Sequence, residues 1–371
     1  MIIDRMQVRL TRWPLKMTRK HGVGDVADTL PGVVVSLHTK DGLTGWGEAA
    51  PWSVFSGTAE AAVAALDVYL RPLVIGRDPR RLARIMAEAD RTIVGHPEAK
   101  MALDMALHDL FGQAAGVSVA ELLGGVFRES IPLSVSIANP DFDADLDFAR
   151  ARLAEGIRLF KVKTGFSTHA EDMSRLDRLA AMLPADASLR IDYNQGLAAV
   201  DAIRTLRDVE AFRPAFIEQP VARDRRDAMA EIARALDTPI LADESVFSPE
   251  EAVECVRSRF ADAVSIKLMK AGSFAKGKAI AAIAQAAGMP CYGGTMYEAG
   301  IALTAGIHFA ASTPAMTLGA EYYTSAFVLG TEILKEPVRL EAGASWLPTG
   351  PGLGIAVDEA ALKGATMEVR G

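Results

Sequence analysis

The sequence predicts a two-part α/β protein, in which an α+β domain is followed by a closed barrel of alternating strands and helices. Three observations lead to this fold class. The 371 residues exceed one ordinary domain, strands precede helices without alternation up to residue 124, and from residue 125 strands and helices alternate roughly every 25 residues. Alternation at this spacing is typical of parallel βαβ units. Eight strand candidates favour a closed barrel over an open sheet.

Composition narrows the class of protein further. Half of the residues are hydrophobic, so a large core is available. The net charge of -7 gives no support to nucleic acid or an anionic membrane as a partner. The only cysteines are Cys255 and Cys291, which fits a reducing compartment and not a disulfide framework. No signal-peptide pattern and no run of about 18 apolar residues occurs, and we therefore expect a cytoplasmic protein.

The α+β domain is assigned to residues 1–124. Alternating apolar and polar residues predict three strands up to residue 50, and periodic alanine-rich segments predict helices from residue 58 to residue 123. Between the first two strands, residues 16–25 form a basic loop rich in glycine. Such a loop suits either a lid over an anionic ligand or a solvated hairpin tip.

The barrel is assigned to residues 125–326. The remaining residues, 327–371, carry Pro337, Pro348 and Pro351. Proline removes a backbone donor and interrupts regular elements. We therefore expect this segment to be mostly irregular and to pack back on the α+β domain.

Charged residues stand at the ends of the predicted barrel strands. In chain order these residues are Lys161 and Lys163, Asp192, Glu218, Asp243 and Lys267. The three acids are 26 and 25 residues apart, one βα unit each, so they should meet at one level of the barrel mouth. A single acid there would be read as a helix cap or a solvated residue, but three in register favour a hard divalent cation such as Mg²⁺.

The two lysines that flank these acids indicate a reaction. A substrate carboxylate on the cation would present its α-carbon between Lys163 and Lys267. Loss or gain of the α-proton passes through an enediolate, whose negative oxygens the cation stabilises. Lys161 points the same way as Lys163 on the strand, and crowding by Lys161 and the cation is expected to lower the pKa of Lys163 toward that of a base. A lone Lys-x-Lys pair would otherwise be two solvated lysines.

Over nearly its whole length the chain resembles a known family, the enolase superfamily, and within it the muconate lactonizing enzyme (muconate cycloisomerase) subgroup. The resemblance rests on Lys-x-Lys at 161–163, Asp-x-Asn at 192–194, Glu-Gln-Pro at 218–220, Asp-Glu-Ser at 243–245, Lys267, Tyr-Gly-Gly-Thr-Met-Tyr-Glu at 292–298, Gly-Ala-Glu at 319–321 and Pro-Gly-Leu-Gly at 351–354.

The resemblance implies a modified TIM barrel, (β/α)7β, with an N-terminal α+β capping domain. It implies Mg²⁺, with Mn²⁺ as an alternative, on Asp192, Glu218 and Asp243. Lys163 and Lys267 become acid/base groups on opposite faces of the substrate, with Lys161 beside them and Glu321 assisting at the substrate. The family's two lids correspond to residues 16–25 and 52–57. Further expected site residues are Lys16, His21, Trp52, Phe55, Asn194, Tyr297 and Glu298 at the substrate and Glu244 behind the metal ligands.

Three reactions share such a two-lysine site. They are cycloisomerisation of a muconate-like diacid, racemisation or epimerisation of an N-substituted amino acid or a proline derivative, and dehydration of a hydroxy acid of the hydroxyproline type. The motifs of the last strand and the tail favour the first. The seventh strand is not followed by a histidine, which disfavours a mandelate-racemase or sugar-acid-dehydratase site. The absence of Asp-x-Asp at 321–324 disfavours a dipeptide epimerase.

A hypothesis of another class is a catalytically silent barrel that serves only for binding. It predicts a broken set of charged residues, whereas the expected set is complete in this sequence. The expected partners are therefore a small-molecule carboxylate and, from the family resemblance, further copies of the chain in a dimer or an octamer.

Overall fold

The computed structural model describes residues 1–26 and 28–371. Its strands are β1 (Ile3–Pro14), β2 (Thr29–Thr39), β3 (Thr44–Ala49), β4 (Ser130–Ile137), β5 (Leu159–Lys163), β6 (Ser188–Asp192), β7 (Ile217–Glu218), β8 (Ile240–Ala242), β9 (Ala263–Ile266), β10 (Cys291–Gly293), β11 (Ala320–Glu321), β12 (Leu340–Glu341), β13 (Ala344–Trp346) and β14 (Thr366–Arg370).

The helices lie mostly between these strands. The α-helices are α1 (Ala59–Ala64), α2 (Leu82–Thr92), α3 (Pro97–Ala115), α4 (Val119–Leu122), α5 (Phe142–Ala154), α6 (His169–Met182), α7 (Ala199–Val209), α8 (Arg226–Ala235), α9 (Pro249–Ser258), α10 (Leu268–Ala271), α11 (Phe274–Ala286), α12 (Gly300–Ala311) and α13 (Glu359–Ala365). A π-helical segment, Ala65–Leu70, and 3₁₀ turns at Arg71–Leu73, Pro79–Arg81 and Glu210–Phe212 also occur. No helix in residues 1–26 and 28–371 combines the length and apolar character needed to cross a bilayer.

The capping domain is built on a four-stranded antiparallel sheet in the order β14-β1-β2-β3. Helix α3 packs on this sheet and is buried along nearly its whole length. The close approach depends on Gly47, because a Cβ there would lie 1.9 Å from the carbonyl oxygen of Ala102 on α3. A helix buried on all sides needs a wide apolar surface, and the six apolar residues between Met101 and Leu107, which flank Asp104, supply much of it.

The barrel contains eight parallel strands, β4 to β11, in chain order, and it closes through pairing of β11 with β4. Helices α5 to α9, α11 and α12 connect successive strands, which gives (β/α)7β. Strands of alternating α/β units are buried on both faces. Accordingly, strand residues such as Ile191, Ile217 and Ile266 belong to one continuous hydrophobic core. The predicted fold class is confirmed.

Residues 327–371 are mostly irregular, as expected, but they contain α13 and three short strands that the sequence did not reveal. Strands β12 and β13 form a hairpin that pairs with β4, and β14 pairs with β1 across the chain. These strands are two, three and five residues long. Pieces this short carry too little periodicity to be found in the sequence, and they are stabilised by the sheets they join.

Two carboxylates of the capping domain join it to barrel helices. Glu48 on β3 accepts hydrogen bonds from the backbone nitrogens of Ala299 (2.5 Å) and Ala302 (3.0 Å), at the start of α12. Asp104 on α3 accepts one from the nitrogen of Phe274 (2.8 Å), at the start of α11. The first backbone N–H groups of a helix have no partner within it. The capping domain therefore supplies acceptors for free backbone N–H groups at the starts of α11 and α12, the helices that follow β9 and β10.

Candidate active site

Backbone register brings the predicted charged residues together at the carboxyl ends of neighbouring strands. Lys163 is paired with Asp192 across β5 and β6, and Asp192 with Glu218 across β6 and β7. Asp243 directly follows β8, whose Leu241 is paired with Glu218. Since parallel strands present their carboxyl ends at one edge, the spacing in the sequence translates directly into a ring of charges at the barrel mouth.

Lys161 lies at the centre of this ring. Its Nζ is 2.8 Å from Glu218 Oε2, 2.8 Å from Glu321 Oε2 and 3.4 Å from Asp192 Oδ2. All four side chains are buried. A charge this deep is tolerated only when it is paired and hydrogen-bonded, and one ammonium group here serves carboxylates from β6, β7 and β11.

Lys163 is held by the next strand. Its Nζ donates to Asp192 Oδ2 and, at 3.0 Å, to Asn194 Oδ1. The side-chain nitrogen of Asn194 donates in turn to Glu244 Oε1 at 3.1 Å, and its backbone nitrogen to Asp192 Oδ1 at 2.8 Å. Asn194 therefore connects Lys163 on one side of the mouth with Glu244 behind Asp243.

Asp243 is shared by two lysines. Lys267 Nζ donates to Oδ2 at 2.6 Å, whereas Lys270 Nζ donates to Oδ1 at 2.7 Å, to the backbone oxygen of Asp243 at 2.7 Å and to that of Ser265 at 2.9 Å. An ammonium group has three donors. Lys270 has therefore used all of its donors, while Lys267 has a single such partner and can exchange it.

The carboxylates repel one another in this buried space. Burial and the neighbouring charge of Asp192 raise the pKa of Glu218 to about 8, and burial and Asp243 raise the pKa of Glu244 to about 7. Burial also opposes the charge of Glu321, but Lys161 and Lys163 lower its pKa to about 2. For Glu218 and Glu244, burial and the neighbouring acids thus outweigh the nearby lysines.

These residues fit a hard divalent cation. Within the described chain, no group of three His, Cys, Asp or Glu side chains forms a ready-made metal site, because Lys161 Nζ lies between Asp192 and Glu218. The donors are nevertheless all oxygens on rigid strands, as Mg²⁺ requires. Glu218 Oε1 and Glu244 Oε2 are buried without a hydrogen-bond partner in residues 1–26 and 28–371. Asp192, Glu218 and Asp243 could hold the cation.

The protein's own groups do not produce the expected lowering of the pKa of Lys163. Burial and the nearby Lys161 do lower it, but the ion pair with Asp192 outweighs both and raises the pKa of Lys163 above its ordinary value. Lys267 follows the same pattern, since Asp243 outweighs its burial. The spacing of the two lysines on one strand does not reveal Asp192, the carboxylate that faces Lys163 from the next strand.

Backbone strain marks the same edge of the barrel. Asn194, Gln219 and Tyr297 follow β6, β7 and β10 with φ values of 40°, 34° and 80°. Residues other than glycine rarely adopt positive φ, and such residues cluster at functional sites. The strain here turns the chain sharply outward just after the charged residues, which leaves their side chains at the mouth.

Aromatic side chains from both predicted lids cover the charged ring. His21 Nε2 lies 3.0 Å from the hydroxyl of Tyr297, and the rings of His21 and Trp52 are 5.0 Å apart. Trp52 stacks on Phe55, and Lys267 Nζ lies 4.5 Å from the centre of the Phe55 ring. The structure therefore brings these four predicted substrate-binding residues together above Lys267.

Two further predicted residues have different surroundings. Glu298 is buried, its Oε2 accepts from the backbone nitrogen of Met296, and burial raises its pKa to about 7. Lys16 is exposed and donates to the backbone oxygen of Ala326 at 3.1 Å. The buried cation of the first lid is instead Arg19.

Sequence reasoning missed Lys270, Arg19 and Tyr323. Lys270 follows Lys267 by three residues, and that spacing in a helical turn was the available signal. The guanidinium of Arg19 lies 4.8 Å from the centre of the Tyr323 ring. No local pattern identifies this contact, because it joins two loops some 300 positions apart in the chain.

Comparison with known proteins gives one consistent result. Residues 3–124 match the mandelate racemase / muconate lactonizing enzyme N-terminal domain, and residues 144–361 match the enolase C-terminal domain-like family. The chain is 32% identical to muconate cycloisomerase 1 of Rhodococcus opacus, over 96% of this chain and 97% of that protein.

Solved structures agree with this. A muconate cycloisomerase from Azorhizobium caulinodans is 48% identical with a TM-score of 0.86, covering 98% of each chain. An N-succinyl Arg/Lys racemase from Bacillus cereus is 30% identical with a TM-score of 0.94, covering 100% of this chain and 99% of the other. The chain therefore belongs to the mandelate racemase / muconate lactonizing enzyme family of the enolase superfamily.

Proposed function

We propose that this enzyme is a cycloisomerase of the muconate type. It closes a lactone in a dicarboxylate and delivers a proton to the carbon α to the second carboxylate. The observation that carries the proposal is the placement of Lys163 at the end of β5 and of Lys267 directly after β9, with three carboxylates between them. Strands four positions apart in an eight-stranded barrel lie opposite each other, so the two ammonium groups face opposite sides of the mouth.

Each residue has a proposed role. Asp192, Glu218 and Asp243 would hold Mg²⁺, or Mn²⁺ as the alternative, which when bound stabilises the negative oxygens of the enediolate. Lys163 gives or takes the α-proton, Lys267 assists electrostatically from the opposite face, and Lys161 and Glu321 keep the charges of the mouth balanced.

The reaction balances with the net uptake of one proton, which the lysine ammonium supplies and regains from solvent after turnover. One carboxylate oxygen of the substrate bonds to a carbon of the conjugated chain, and the electron pair displaced from the double bonds moves to the other carboxyl group. Protonation of the α-carbon by the lysine ammonium then restores that carboxylate. The roof of Trp52, Phe55 and His21 excludes water from the enediolate while the proton moves.

A second candidate is racemisation of an N-substituted amino acid. The equivalent burial of Lys163 and Lys267 on opposite strands favours it, since one lysine would serve each face. A structure named as an N-succinyl Arg/Lys racemase also superposes on the whole chain. Dehydration of a hydroxyproline-type acid would use the same lysines.

The three reactions separate in D₂O. The protein with Mg²⁺ is incubated with cis,cis-muconate, an N-succinyl amino acid and hydroxyproline, and the products are followed by NMR. We expect lactone with one deuterium on the α-carbon from muconate only. Exchange at the α-carbon of the N-succinyl amino acid without lactone formation would instead identify a racemase, and loss of water from hydroxyproline a dehydratase.

Removal of single lysines tests the assignment of roles. Lys163→Ala should abolish lactone formation, because no other group donates the proton from that face, and Lys267→Ala should lower kcat by roughly 10²–10³-fold through loss of electrostatic stabilisation. Mg²⁺ affinity, measured by calorimetry, should survive both changes. Full activity of Lys163→Ala would contradict the mechanism.

We also propose the accompanying assignments of domain, location and assembly. They are a capping domain of residues 1–124, a barrel of residues 125–326, and a segment of residues 327–371 that packs back on the capping domain, as β14 does. The proposed enzyme acts in the cytoplasm on a small carboxylate as a homo-oligomer, a dimer or an octamer. Size-exclusion chromatography with light scattering measures the last of these directly.

A further inference from the structure

Arg19, in the first lid, is a buried cation that lacks an anionic partner. Its side chain is 1% exposed. No carboxylate oxygen among the described residues lies within 4.0 Å of its guanidinium nitrogens. Its guanidinium has a long hydrogen bond, 3.4 Å from Nη2 to the backbone oxygen of Ser136, and also meets the Tyr297 hydroxyl, whereas Nε has no partner in residues 1–26 and 28–371. A guanidinium has five N–H donors, so most of them are unused.

The other cations of the mouth differ from Arg19 in this respect. Lys161 and Lys163 are paired with Glu218 and Asp192, and both Lys267 and Lys270 are paired with Asp243. These four lysines are therefore compensated by the protein itself. Of these five buried cations, Arg19 is the one without a carboxylate oxygen within 4.0 Å among the described residues, although the charge of Glu321 also acts on it from farther away.

Stacking on an aromatic ring does not replace an anion. The guanidinium lies 4.8 Å from the centre of the Tyr323 ring, and a cation–π contact of this kind contributes modestly. Burying a charge without an ionic partner costs far more than such a contact returns. A ligand that brings its own carboxylate would remove this imbalance.

Arg19 also lies on the side of the mouth where a long substrate would end. It contacts the end of β4 through Ser136, whereas Asp243 follows β8, on the opposite side of the barrel. His21 is the aromatic residue of the same loop, beside Trp52 and Tyr297. Burial, and then the charges of Lys163, Arg19 and Lys161, hold the pKa of its imidazole well below the usual range. Arg19 and the two lysines of β5 are therefore close enough to act on one buried side chain.

We propose that Arg19 binds the second carboxylate of a dianionic substrate, the one that does not lie among Asp192, Glu218 and Asp243, and that it thereby selects dicarboxylates over monocarboxylates. The proposal rests on the proposed function and adds the residue that sets charge selectivity. The rings of Trp52 and Tyr323 lie 5.9 Å and 4.6 Å from the Tyr297 ring, and such flat faces suit a planar carbon chain. The planar fork of arginine matches a carboxylate through two parallel hydrogen bonds.

The test compares binding of adipate, a six-carbon dicarboxylate, with binding of hexanoate, which has the same length and one carboxylate. Both are titrated calorimetrically into the Mg²⁺-loaded enzyme. Adipate should bind roughly 10- to 150-fold more tightly, the value of a charge-assisted hydrogen-bonded pair. Arg19→Met should reduce this preference to less than about 3-fold, and Arg19→Lys, which keeps the charge and loses the fork, should give an intermediate preference.

Lys20→Met is the matched control, because Lys20 is the next residue of the same loop, has the same charge and is paired with Asp25 outside the buried space. It should keep the full preference for adipate. Circular dichroism and Mg²⁺ affinity show that each variant is folded, and Arg19→Lys provides the comparison if Arg19→Met does not fold.

The outcomes separate this inference from the proposed function. An adipate preference that persists in Arg19→Met, or that is absent from the unmodified enzyme, would overturn the role of Arg19. If muconate is not converted but the adipate preference still depends on Arg19, the cycloisomerase proposal is wrong and the carboxylate-binding role stands.

Discussion

At the scale of single residues, Asp243 shows how one carboxylate serves two different lysines. Lys270 is fixed by three acceptors, two of them backbone oxygens, whereas Lys267 meets Asp243 through one oxygen and lies under Phe55. Gly294 leaves room for this, since a Cβ there would lie 2.7 Å from Lys267 Cε. One lysine therefore holds the carboxylate in place and the other is available to the substrate.

This difference predicts opposite effects of two matched variants. Lys270→Met should lower the free energy of unfolding by about 2–4 kcal/mol, because it leaves three buried acceptors without a donor, and Lys267→Met by about 1–2 kcal/mol, because it leaves one. Lys267→Met should nevertheless lose more activity. Urea unfolding and steady-state rates measure both, and a larger loss of stability in Lys267→Met would show that the two lysines are assigned in the wrong order.

At the scale of elements, α12 is fixed at both ends by residues from other parts of the chain. At its start, Glu48 of β3 accepts hydrogen bonds from the backbone nitrogens of Ala299 and Ala302. Near its end, His308 Nδ1 accepts from the backbone nitrogen of Ala120, 3.1 Å away, and Nε2 donates to the oxygen of Leu353 at 3.0 Å. Because α12 connects β10 to β11, these contacts fix the strand end that carries Glu321.

The histidine predicts a loss of stability in acid. Burial lowers the pKa of His308 to about 4, below the unfolded value of about 6.5. The unfolded chain then takes up the proton first, so the contribution of His308 is complete above pH 6.5 and falls as the pH decreases toward 4. Between pH 7 and pH 5 the loss amounts to about 2 kcal/mol.

Urea unfolding at the two pH values checks this. His308→Gln should remove that part of the pH dependence, whereas His169→Gln, at an exposed histidine paired with Asp208, should leave it unchanged. An identical pH dependence in the wild-type enzyme and His308→Gln would show that the imidazole does not titrate differently on unfolding.

The elements also show where sequence reasoning succeeds. Asp192, Glu218 and Asp243 were predictable because one βα unit sets their spacing and parallel strands convert spacing into proximity. Arg19 was not, since its burial depends on Tyr323 and Ser136, which the local pattern of a basic loop does not encode. The effect of Asp192 on the pKa of Lys163 was missed for a similar reason, because Asp192 belongs to another strand.

At the scale of the whole molecule, the two domains share buried polar contacts instead of a flexible linker. Glu48 and Asp104 extend from the capping domain to the barrel helices, and Asp109 accepts from the backbone nitrogens of Trp46 and Leu353, both at 2.9 Å. The roof over the active site is therefore carried by a domain that is fixed to the barrel close to β10.

Glu48 is the contact that tests this connection. Glu48→Ala should lower the free energy of unfolding by roughly 2–4 kcal/mol, because it leaves two backbone N–H groups without an acceptor, whereas Glu48→Gln keeps an acceptor and should lose about half as much. Burial raises the pKa of Glu48 to about 8, so the wild-type enzyme should lose stability as the pH rises from about 4.5 through 8.

Thermal unfolding across this range, compared with Glu48→Gln, measures the effect. The gap between the two proteins should narrow as the pH increases, because glutamine does not ionise. A gap that widens toward alkaline pH would show that the carboxylate is charged in the folded enzyme and stabilised by the start of α12.

The pairing of β14 with β1 gives the enzyme a nested topology. The whole barrel is inserted between β3 and β14, so the sheet that supports the first lid has its edge completed only when residues 366–370 emerge from the ribosome. Val8 and Arg370, which are paired, are separated by nearly the entire chain. Such distant pairing slows folding. During synthesis the barrel can therefore bring its carboxylates and lysines together before the sheet that supports the first lid is complete.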